Sequence, residues 1–218
     1  FFYALIPVGL ILLQPDMGSG LIIMGLWVIY LFVSGLRLRH VLLGIALAAV
    51  MGVFGWSYLQ GYQRERIKGL FNPQYDPLGV NYNVIQSKVA IGSGGMYGKG
   101  YLDGTQKRLA FLPEQHTDFI FAVIGEEMGF LFGTLVVITA YGIILWRLTK
   151  LAERISDPFA GIVIFGIFGA WFTHIIVNIG MTVGVMPITG IPLPFLSYGG
   201  SFLLATYLAL GVAQRVAG

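Results

Sequence analysis

Six apolar segments, separated by polar stretches, constrain the fold of this chain more than any other feature. They cover residues 1–13, 21–35, 41–58, 128–148, 159–186 and 202–216. A helix needs roughly 20 consecutive apolar residues to cross the hydrocarbon core of a bilayer, so the first segment is short and the second and last are borderline. Because 56% of the residues are hydrophobic and 11% are charged, the sequence predicts an all-α, polytopic transmembrane bundle of six spans in one membrane domain, residues 1–218.

Composition also excludes several classes of function. The net charge is +3 and the Lys and Arg residues form no cluster, so no nucleic-acid partner is predicted. The chain contains no cysteine, which excludes disulfides, thiol nucleophiles and cysteine metal sites within it. Phe1 begins inside an apolar segment with neither an initiator methionine nor a signal peptide, so we expect the chain to be part of a longer protein.

Basic residues at the ends of the apolar segments predict the orientation of the helices. They follow the second and fourth segments and close the last one: Arg37, Arg39, Arg147, Lys150, Arg154 and Arg215. Short loops rich in Lys and Arg stay in the cytoplasm. Strict alternation of the helices then places residues 14–20, 59–117 and 187–201 on the extracytoplasmic face.

Residues 59–117 form a long extracytoplasmic loop that is rich in Lys and Arg. A loop of this length is usually functional or partly folded, and residues 83–91 are predicted to form a short helix that the glycines of residues 92–100 terminate. The basic side chains either hold a pyrophosphate through charge-assisted hydrogen bonds or are solvated and touch anionic lipid headgroups. The sequence leaves both interpretations open.

Several ionisable residues collect where this loop enters the fourth apolar segment, in residues 112–129. If a helix begins at Phe119, its rise of about 1.5 Å per residue places Asp118 roughly 12 Å above Glu126. A carboxylate at that height can accept a proton from a substrate hydroxyl, and partial burial raises the pKa of such a group. Asp118 is also a good N-cap for the helix. The two roles are compatible, and the spacing by itself favours the cap.

Further ionisable residues flank Asp118. Glu114 and His116 alternate with Asp118 in the sequence, so in an extended segment the three side chains would share one face and could ligate a cation. Ordinary loop polarity is the favoured interpretation of this pattern. Glu126 and Glu127 lie near the outer interface, where we expect one of them to pair with a Lys or Arg of the loop, since a carboxylate exposed to lipid is costly.

A polar stripe and a proline-rich loop complete the candidate features. His174, Asn178 and Thr182 recur every four residues in the fifth segment and therefore lie on one helix face. Polar groups within a span are functional candidates, although interhelical hydrogen bonding explains them more simply. Residues 187–201 contain several prolines and glycines and are predicted to form a rigid outer loop that lines a cavity.

The ordered motifs of the chain resemble those of a known family. They are Gln14-Pro-Asp-Met-Gly18, Tyr62-Gln-Arg-Glu-Arg66, residues 72–77, Ile85-Gln-Ser-Lys-Val-Ala-Ile-Gly-Ser-Gly-Gly95, Gly104-Thr-Gln106, residues 112–129 and Pro192-Leu-Pro-Phe-Leu-Ser-Tyr-Gly-Gly-Ser201. Over essentially its whole length the chain resembles the SEDS family of bacterial cell-wall proteins. Among its branches the RodA-like, rod-shape branch is the most similar, and the sporulation branch is the weaker alternative.

The resemblance implies a fold of about ten spans, of which this chain would hold the last six. It also implies a peptidoglycan glycosyltransferase that polymerises lipid II into β-1,4-linked glycan strands during cell elongation and cell-shape maintenance. The undecaprenyl pyrophosphate carrier would be released at the outer face of the bacterial cytoplasmic membrane. The essential acidic residue of the family corresponds to Asp118, which becomes the predicted catalytic base for the GlcNAc 4-hydroxyl of the acceptor, with capping as a secondary role.

Further site residues, partners and cofactors are predicted on the same basis. The predicted substrate-binding residues, some of which would shape the cavity, are Asp16, Arg64, Arg66, Lys88, Glu114, His116 and Ser197. A class B penicillin-binding protein and the elongation machinery are the implied protein partners. A divalent cation, Mg²⁺ or Mn²⁺, would help to neutralise the departing pyrophosphate, although the sequence shows no convincing protein cage for it.

Two other functions remain open at this point. A lipid II flippase would use the polar groups within the spans as a route across the membrane. A noncatalytic scaffold would position a penicillin-binding protein, and Asp118 would then only cap a helix. Replacement of Asp118 by Asn separates these functions from catalysis, because Asn caps a helix about as well as Asp does.

Overall fold

The computed structural model describes residues 2–14, 16–35, 39–40, 44, 61–72, 75–76, 79, 81–105 and 111–217. Within these residues the regular structure is helical, so the predicted all-α class is confirmed for the part of the chain described. The main helices are α1 (Phe2–Leu13), α2 (Met17–Val33), α3 (Gly61–Phe71), α4 (Tyr82–Gly94), α5 (Ile120–Gly129), a π-helical turn (Phe130–Thr134), α6 (Leu135–Arg154), α7 (Pro158–Thr182) and α8 (Gly200–Ala217).

Five of the six predicted segments correspond to these helices, with shifted ends. The third, residues 41–58, lies outside the described residues except for residue 44. α5, the π-helical turn and α6 follow one another without a gap in the chain over Ile120–Arg154, which we call the long helix and which begins before the predicted residue 128. Among the described residues, the long helix and α7 are long and apolar enough to cross a bilayer. The total number of spans stays a prediction.

Close packing of α2 on α7 fixes these two helices against each other. Gly25 of α2 lies against Thr173 of α7, where an added Cβ would approach the Thr173 Oγ1 to 2.6 Å. Gly166 of α7 lies beneath Tyr30 of α2, whose hydroxyl donates to the carbonyl of Ile162 at 3.1 Å. Small residues allow helix backbones to approach in this way, so each helix supplies a glycine to the shared interface.

The proline loop, which we define as residues 187–199, is anchored in the core formed by α6, α7 and α8. The hydroxyl of Tyr141 donates to the carbonyl of Pro194 at 2.5 Å. The ring of Trp171 meets the ring of Phe195 edge to face, with centroids 4.9 Å apart. Phe195 has φ +65°, a conformation that bulky residues rarely adopt. These contacts from two helices hold the loop in one shape.

The long loop between the third and fourth predicted segments is partly folded, as the sequence predicts. Its predicted short helix is α4, which extends over Tyr82–Gly94. Gly95, Gly98 and Gly100 follow with φ of +56°, +84° and +109°. Such values are open to glycine at little cost, so these residues end the helix and turn the chain toward the long helix.

The long helix is interrupted at Gly129, where the loop supplies the missing backbone partners. Gly129 has φ +74°, which ends the hydrogen-bond pattern of α5. Amides of the loop donate to carbonyls of α5, and amides of the π-helical turn donate back to the loop, at distances of 2.9 to 3.1 Å: Lys99 to Glu126, Gly100 to Glu127, Phe130 to Gly95, and Leu131 to Met96. The loop is thereby joined to the long helix through its backbone.

Candidate active site

Asp118 belongs to a compact turn, residues 112–119, that leads into α5 and that we call the turn segment. Three successive amides, those of residues 117–119, donate to the carbonyl of Glu114 at 3.2, 3.1 and 3.3 Å. The extended segment in which Glu114, His116 and Asp118 would share one face, the less favoured interpretation of the sequence pattern, is therefore not present. Convergence of the amides on one carbonyl folds the chain into a turn, which removes the alternation of side chains that an extended segment would have.

The predicted N-cap role of Asp118 is wrong. α5 begins at Ile120, and its N-cap residue is Phe119, which makes no side-chain cap hydrogen bond. Only the residue directly before the first helical residue can cap in this way, so a boundary shifted by one residue removes Asp118 from the position. Asp16, in contrast, is the N-cap of α2, and its Oδ1 accepts a hydrogen bond from the amide of Ser19 at 3.1 Å.

Asn178 of α7 holds the turn segment against the proline loop. Its side-chain amide donates to the carbonyl of Asp118 at 2.9 Å and to the carbonyl of Ile191 at 2.7 Å. The side chain is completely buried. The hydrogen bonding predicted for the polar stripe therefore exists, but at this residue it connects a helix to two non-helical segments.

Ser197 and Tyr198 make a second connection between the same two segments. The hydroxyl of Ser197 donates to the carbonyl of Thr117 and accepts from the amide of Leu193, the latter at 2.7 Å. The amide of Tyr198 donates to the carbonyl of His116 at 2.8 Å. Ser197 is 1% exposed, so its hydroxyl shapes the wall of the site. A contact between Ser197 and substrate stays a prediction.

The remaining members of the polar stripe also bond to backbone. The Nδ1 of His174 lies 3.0 Å from the carbonyl of Pro192. The hydroxyl of Thr182 donates to the carbonyl of Ile179 within its own helix at 2.7 Å. With Asn178, the stripe thus serves the attachment of the proline loop and the local structure of α7.

The carboxylate of Asp118 lies beside the proline loop, half-buried and without a cationic partner among the described residues. Its Oδ2 is 3.4 Å from the position that a Cβ of Gly190 would occupy. Burial raises the pKa of the Asp118 carboxyl above its ordinary value, and the negative charge of Glu114 raises it further, while a hydrogen bond with the Thr117 side chain opposes both effects. A carboxylate with a raised pKa is a stronger base than an ordinary one.

Asp16 approaches the same part of the proline loop from the start of α2. An added Cβ on Gly18 would lie 2.7 Å from the carbonyl oxygen of Thr189 and 3.4 Å from the Asp16 Oδ1. Hydrogen bonds from Ser19 lower the pKa of the Asp16 carboxyl. The start of α2 and Asp118 thus lie against neighbouring residues of one loop, Thr189 and Gly190. Substrate binding by Asp16 stays a prediction.

A cavity of about 190 Å³ opens between α3, α4 and the start of the proline loop. Arg66 and Lys88 line it together with apolar side chains that include Ile188. The Nη1 of Arg66 donates to the carbonyl of Ile188 at 2.8 Å, and the end of the Lys88 side chain covers Gly184. The structure therefore brings two of the predicted substrate-binding cations together. Arg64, on the same helix as Arg66, does not line this cavity.

Glu126 is a buried carboxylate on α5, and its environment differs from that of Asp118. Its Oε1 lies 2.8 Å from the Nζ of Lys99, and the Thr105 hydroxyl donates to the same oxygen at 3.0 Å. Lys99 also donates to Thr105 at 2.7 Å. The side chain of Glu126 is 0% exposed and that of Lys99 is 26% exposed. The predicted ion pair between a loop cation and one of the two glutamates is confirmed.

Glu114 and His116 are exposed on the surface of the turn segment. The hydroxyl of Thr117 donates to the Oε2 of Glu114 at 3.2 Å. No cluster of three His, Asp or Glu side chains suited to a metal ion exists among the described residues. Glu114 and His116 therefore do not form, with other described side chains, a site that fits a resident divalent cation. Substrate binding by Glu114 and His116 stays a prediction.

Sequence reasoning missed Tyr141 and the role of Gly190. A tyrosine inside an apolar segment is a usable signal, because a buried phenolic hydroxyl needs a hydrogen-bond partner, and Tyr141 finds one on the proline loop. Gly190 has φ +69° and lies against the Asp118 carboxylate. Its sequence neighbours indicate a turn, but no local pattern identifies Asp118 as the group it faces.

The fold and the site together define a bundle of apolar helices with a half-buried carboxylate at one end of a span-length helix. All 218 residues match the family described as cell cycle protein, FtsW, RodA and SpoVE. The chain belongs to this family, which is the family that the motifs resemble.

Individual relatives agree with this assignment. The chain is 42% identical over 211 residues to the peptidoglycan glycosyltransferase MrdB of Escherichia coli K12, covering 96% of this chain and 57% of MrdB. It is 39% identical to the stage V sporulation protein E of Bacillus subtilis 168, covering 95% of this chain and 56% of that protein. The chain therefore spans little more than half the length of the curated relatives it matches.

Two solved structures share the fold. One belongs to a study of the structural coordination of polymerization and crosslinking by a peptidoglycan synthase complex, with a TM-score of 0.77 and 37% identity over 98% of this chain and 59% of that chain. The other is a mutant of the Thermus thermophilus rod shape determining protein RodA, with a TM-score of 0.63 and 31% identity over 98% of this chain and 54% of that chain. The likeness covers nearly all of this chain in both.

Proposed function

We propose that the protein containing this chain is a peptidoglycan glycosyltransferase of cell elongation, which polymerises lipid II into β-1,4-linked glycan strands. The observation that carries the proposal is the Asp118 carboxylate, half-buried and with a raised pKa at the start of a span-length helix. The cavity with Arg66 and Lys88 opens against the same proline loop. A relative that is 42% identical carries the name peptidoglycan glycosyltransferase, which supports the same activity for this protein.

Asp118 is the general base in this proposal. Its carboxylate accepts the proton of the GlcNAc 4-hydroxyl of the acceptor while that oxygen attacks the anomeric carbon of the donor. The new C–O bond forms as the bond from the anomeric carbon to the pyrophosphate oxygen breaks, and the electron pair leaves with undecaprenyl pyrophosphate. Direct displacement inverts the α-linked donor to a β-linked product. The raised pKa of Asp118 brings it closer to the pH of the reaction, which favours proton transfer.

Arg66 and Lys88 are the proposed partners of the departing pyrophosphate. A guanidinium has five N–H donors in a fixed fork, so Arg66 can bind the carbonyl of Ile188 and a phosphate oxygen together. Lys88 adds a flexible point charge. A divalent cation arriving with the substrate would neutralise further charge. No step of the proposal depends on it, because the described residues form no cage for such an ion.

We place the site at the outer face of the bacterial cytoplasmic membrane, in a multi-pass protein. The long helix begins two residues after Asp118 and ends at Arg154, with Arg147 and Lys150 in its final turns. Cationic ends of spans stay on the cytoplasmic side. Asp118, at the opposite end of this helix, then faces outward, where lipid-linked sugar is accessible.

A class B penicillin-binding protein is the proposed partner, within the machinery of cell elongation. Support comes from the neighbour described as a peptidoglycan synthase complex that coordinates polymerization and crosslinking. A polymerase needs such a partner because the strands it makes must be joined by transpeptidation. The exposed apolar side chains of the long helix, among them Phe132, Leu135 and Trp146, suit contact with lipid or with a partner helix.

The proposal is tested by glycan-chain formation from purified lipid II, using the full-length protein and a partner that lacks polymerase sites of its own. Asp118→Asn is expected to lower the rate by at least about 100-fold, since general-base catalysis contributes roughly 10²–10⁴-fold. Asp157→Asn is the matched control. It removes the same charge at the N-cap of α7, and Asn caps equally well, so its rate should equal that of the wild type.

Each alternative function predicts a different outcome of this experiment. Equal polymer from the wild type and Asp118→Asn would remove Asp118 as the base. Polymer from neither protein, with lipid II moving across liposomes, would favour a flippase, and absence of both activities would favour a scaffold. The flippase draws little support from the polar stripe, because His174 and Asn178 bond to the proline loop.

A further inference from the structure

Asn178 makes the one side-chain connection, among the described residues, that binds directly to the backbone of Asp118. Its amide nitrogen donates to the carbonyls of Asp118 and Ile191, at 2.9 and 2.7 Å. The two carbonyls belong to different segments, the turn segment and the proline loop. Ile191 directly follows Gly190, the residue that lies against the Asp118 carboxylate. The side-chain amide of Asn178 therefore binds both the turn segment and the proline loop, next to the place where the Asp118 carboxylate meets Gly190.

The burial of Asn178 argues against a role in packing alone. The side chain is 0% exposed, and its Oδ1 accepts no hydrogen bond from the described residues. A buried polar atom without a partner is unfavourable, and Leu has nearly the same shape without that penalty. Asn178 supplies N–H donors to the carbonyls of Asp118 and Ile191. Leu has no such donor and would leave both carbonyls without this hydrogen bond.

We propose that Asn178 is a positioning residue for the reaction, which sets the placement of the Asp118 carboxylate relative to the proline loop. The inference rests on the proposed function, because it assigns Asp118 the role of base. Asn178 touches neither substrate nor reacting atoms. It acts through the backbone of Asp118, and a misplacement of about 1 Å in a catalytic group can lower a rate by about 100-fold.

The kinetic test compares Asn178→Leu with Thr182→Val in the full-length protein. Thr182 is the matched control, because it is also buried on α7 and its hydroxyl bonds only within that helix. Asn178→Leu is expected to lower kcat for lipid II polymerisation by about 100-fold with KM changed less than about twofold. Thr182→Val should stay near the wild type. Equal kcat in the two variants, or a raised KM with normal kcat, would overturn the inference.

A structural readout tests the same inference without activity. This chain has no cysteine, so spin labels can be attached through Pro113→Cys in the turn segment and Tyr198→Cys in the proline loop, both exposed positions. The distance distribution between the labels should broaden in Asn178→Leu and stay narrow in Thr182→Val. An unchanged distribution in Asn178→Leu would overturn the inference.

Two further comparisons keep the outcomes distinct. If Asn178→Leu does not accumulate as folded protein, Asn178→Gln takes its place, because it keeps the amide but moves it by one methylene, and the same loss of kcat is expected. If Asp118→Asn polymerised lipid II as fast as the wild type, the proposed role of Asp118 as base would be wrong. The label distances would still decide whether Asn178 joins the two segments.

Discussion

Two carboxylates of α5 and its entry turn, Asp118 and Glu126, occupy opposite electrostatic environments. Glu126 is fully buried and its charge is neutralised by Lys99 at 2.8 Å, with Thr105 bonded to both. Asp118 is half-buried, has no cationic partner among the described residues, and has the negative charge of Glu114 nearby. The same kind of side chain thus has its charge neutralised at one position and has a raised pKa at the other.

This difference is the one expected between a structural carboxylate and the catalytic base that we propose. A buried charge without compensation is costly, so a carboxylate retained for structure is expected to have a partner. A carboxylate that must take up a proton works better with a raised pKa, which a nearby cation would lower. A carboxylate whose pKa is raised by burial and that has no neutralising partner is accordingly a candidate for a functional site.

The largest expected effect comes from removing the partner of Glu126. Lys99→Met removes the cation at 2.8 Å from a fully buried carboxylate, which should lower the free energy of unfolding by about 3–5 kcal/mol. Lys150→Met is the matched control, because Lys150 also pairs with a glutamate at 2.7 Å but both side chains are about half exposed. Exposed pairs contribute less than about 1 kcal/mol. Equilibrium unfolding in detergent measures the free energy of unfolding of both variants and of the wild type.

The double variant Lys99→Met with Glu126→Gln sharpens this result. The second replacement removes the buried negative charge itself, so the double variant should be more stable than Lys99→Met alone. If Lys99→Met were as mild as Lys150→Met, Glu126 would not depend on Lys99. The contrast between the two carboxylates would then fail on its structural side.

A smaller effect is expected from the pH dependence of polymerisation. The base must be ionised, so kcat/KM should fall as pH decreases through the pKa of Asp118, which burial and Glu114 raise above 3.8. Glu114→Gln removes a negative charge, lowers the pKa of Asp118, and should shift this acid limb to lower pH. Glu153→Gln, which removes a charge at the far end of the long helix, should leave the limb in place. If the acid limb of kcat/KM moved to higher pH in Glu114→Gln, the assignment of Asp118 as the base would be contradicted.

The sequence was sufficient for the features that depend on local patterns. Apolar segments predicted the helices, glycines predicted the end of α4, and the position of Glu126 and Glu127 next to an apolar stretch predicted an ion pair for one of them. The motif around Asp118 identified the candidate base. In each case the signal lies in neighbouring residues or in helical periodicity.

The predictions that were wrong or incomplete depend on contacts between distant segments or on the exact residue at which a helix begins. Capping requires the helix to begin directly after Asp118, and it begins one residue later. The stripe containing Asn178 was recognised, but its partners, the carbonyls of Asp118 and Ile191, lie on segments whose approach the sequence pattern does not specify. Helix ends are the least reliable part of any sequence-based assignment, and here they decide the geometry of the site.

The smallest expected effect concerns Asp16, a further carboxylate close to the proline loop. As N-cap of α2 it accepts a hydrogen bond from the Ser19 amide, so Asp16→Ala should lower the free energy of unfolding by about 1 kcal/mol, whereas Asp16→Asn should change it by only a few tenths. If Asp16 also binds substrate, Asp16→Asn will lower polymerisation while stability is kept, because the cap survives and the charge does not. Normal activity of Asp16→Asn would group Asp16 with Glu126 as a structural carboxylate, despite its position beside the proline loop.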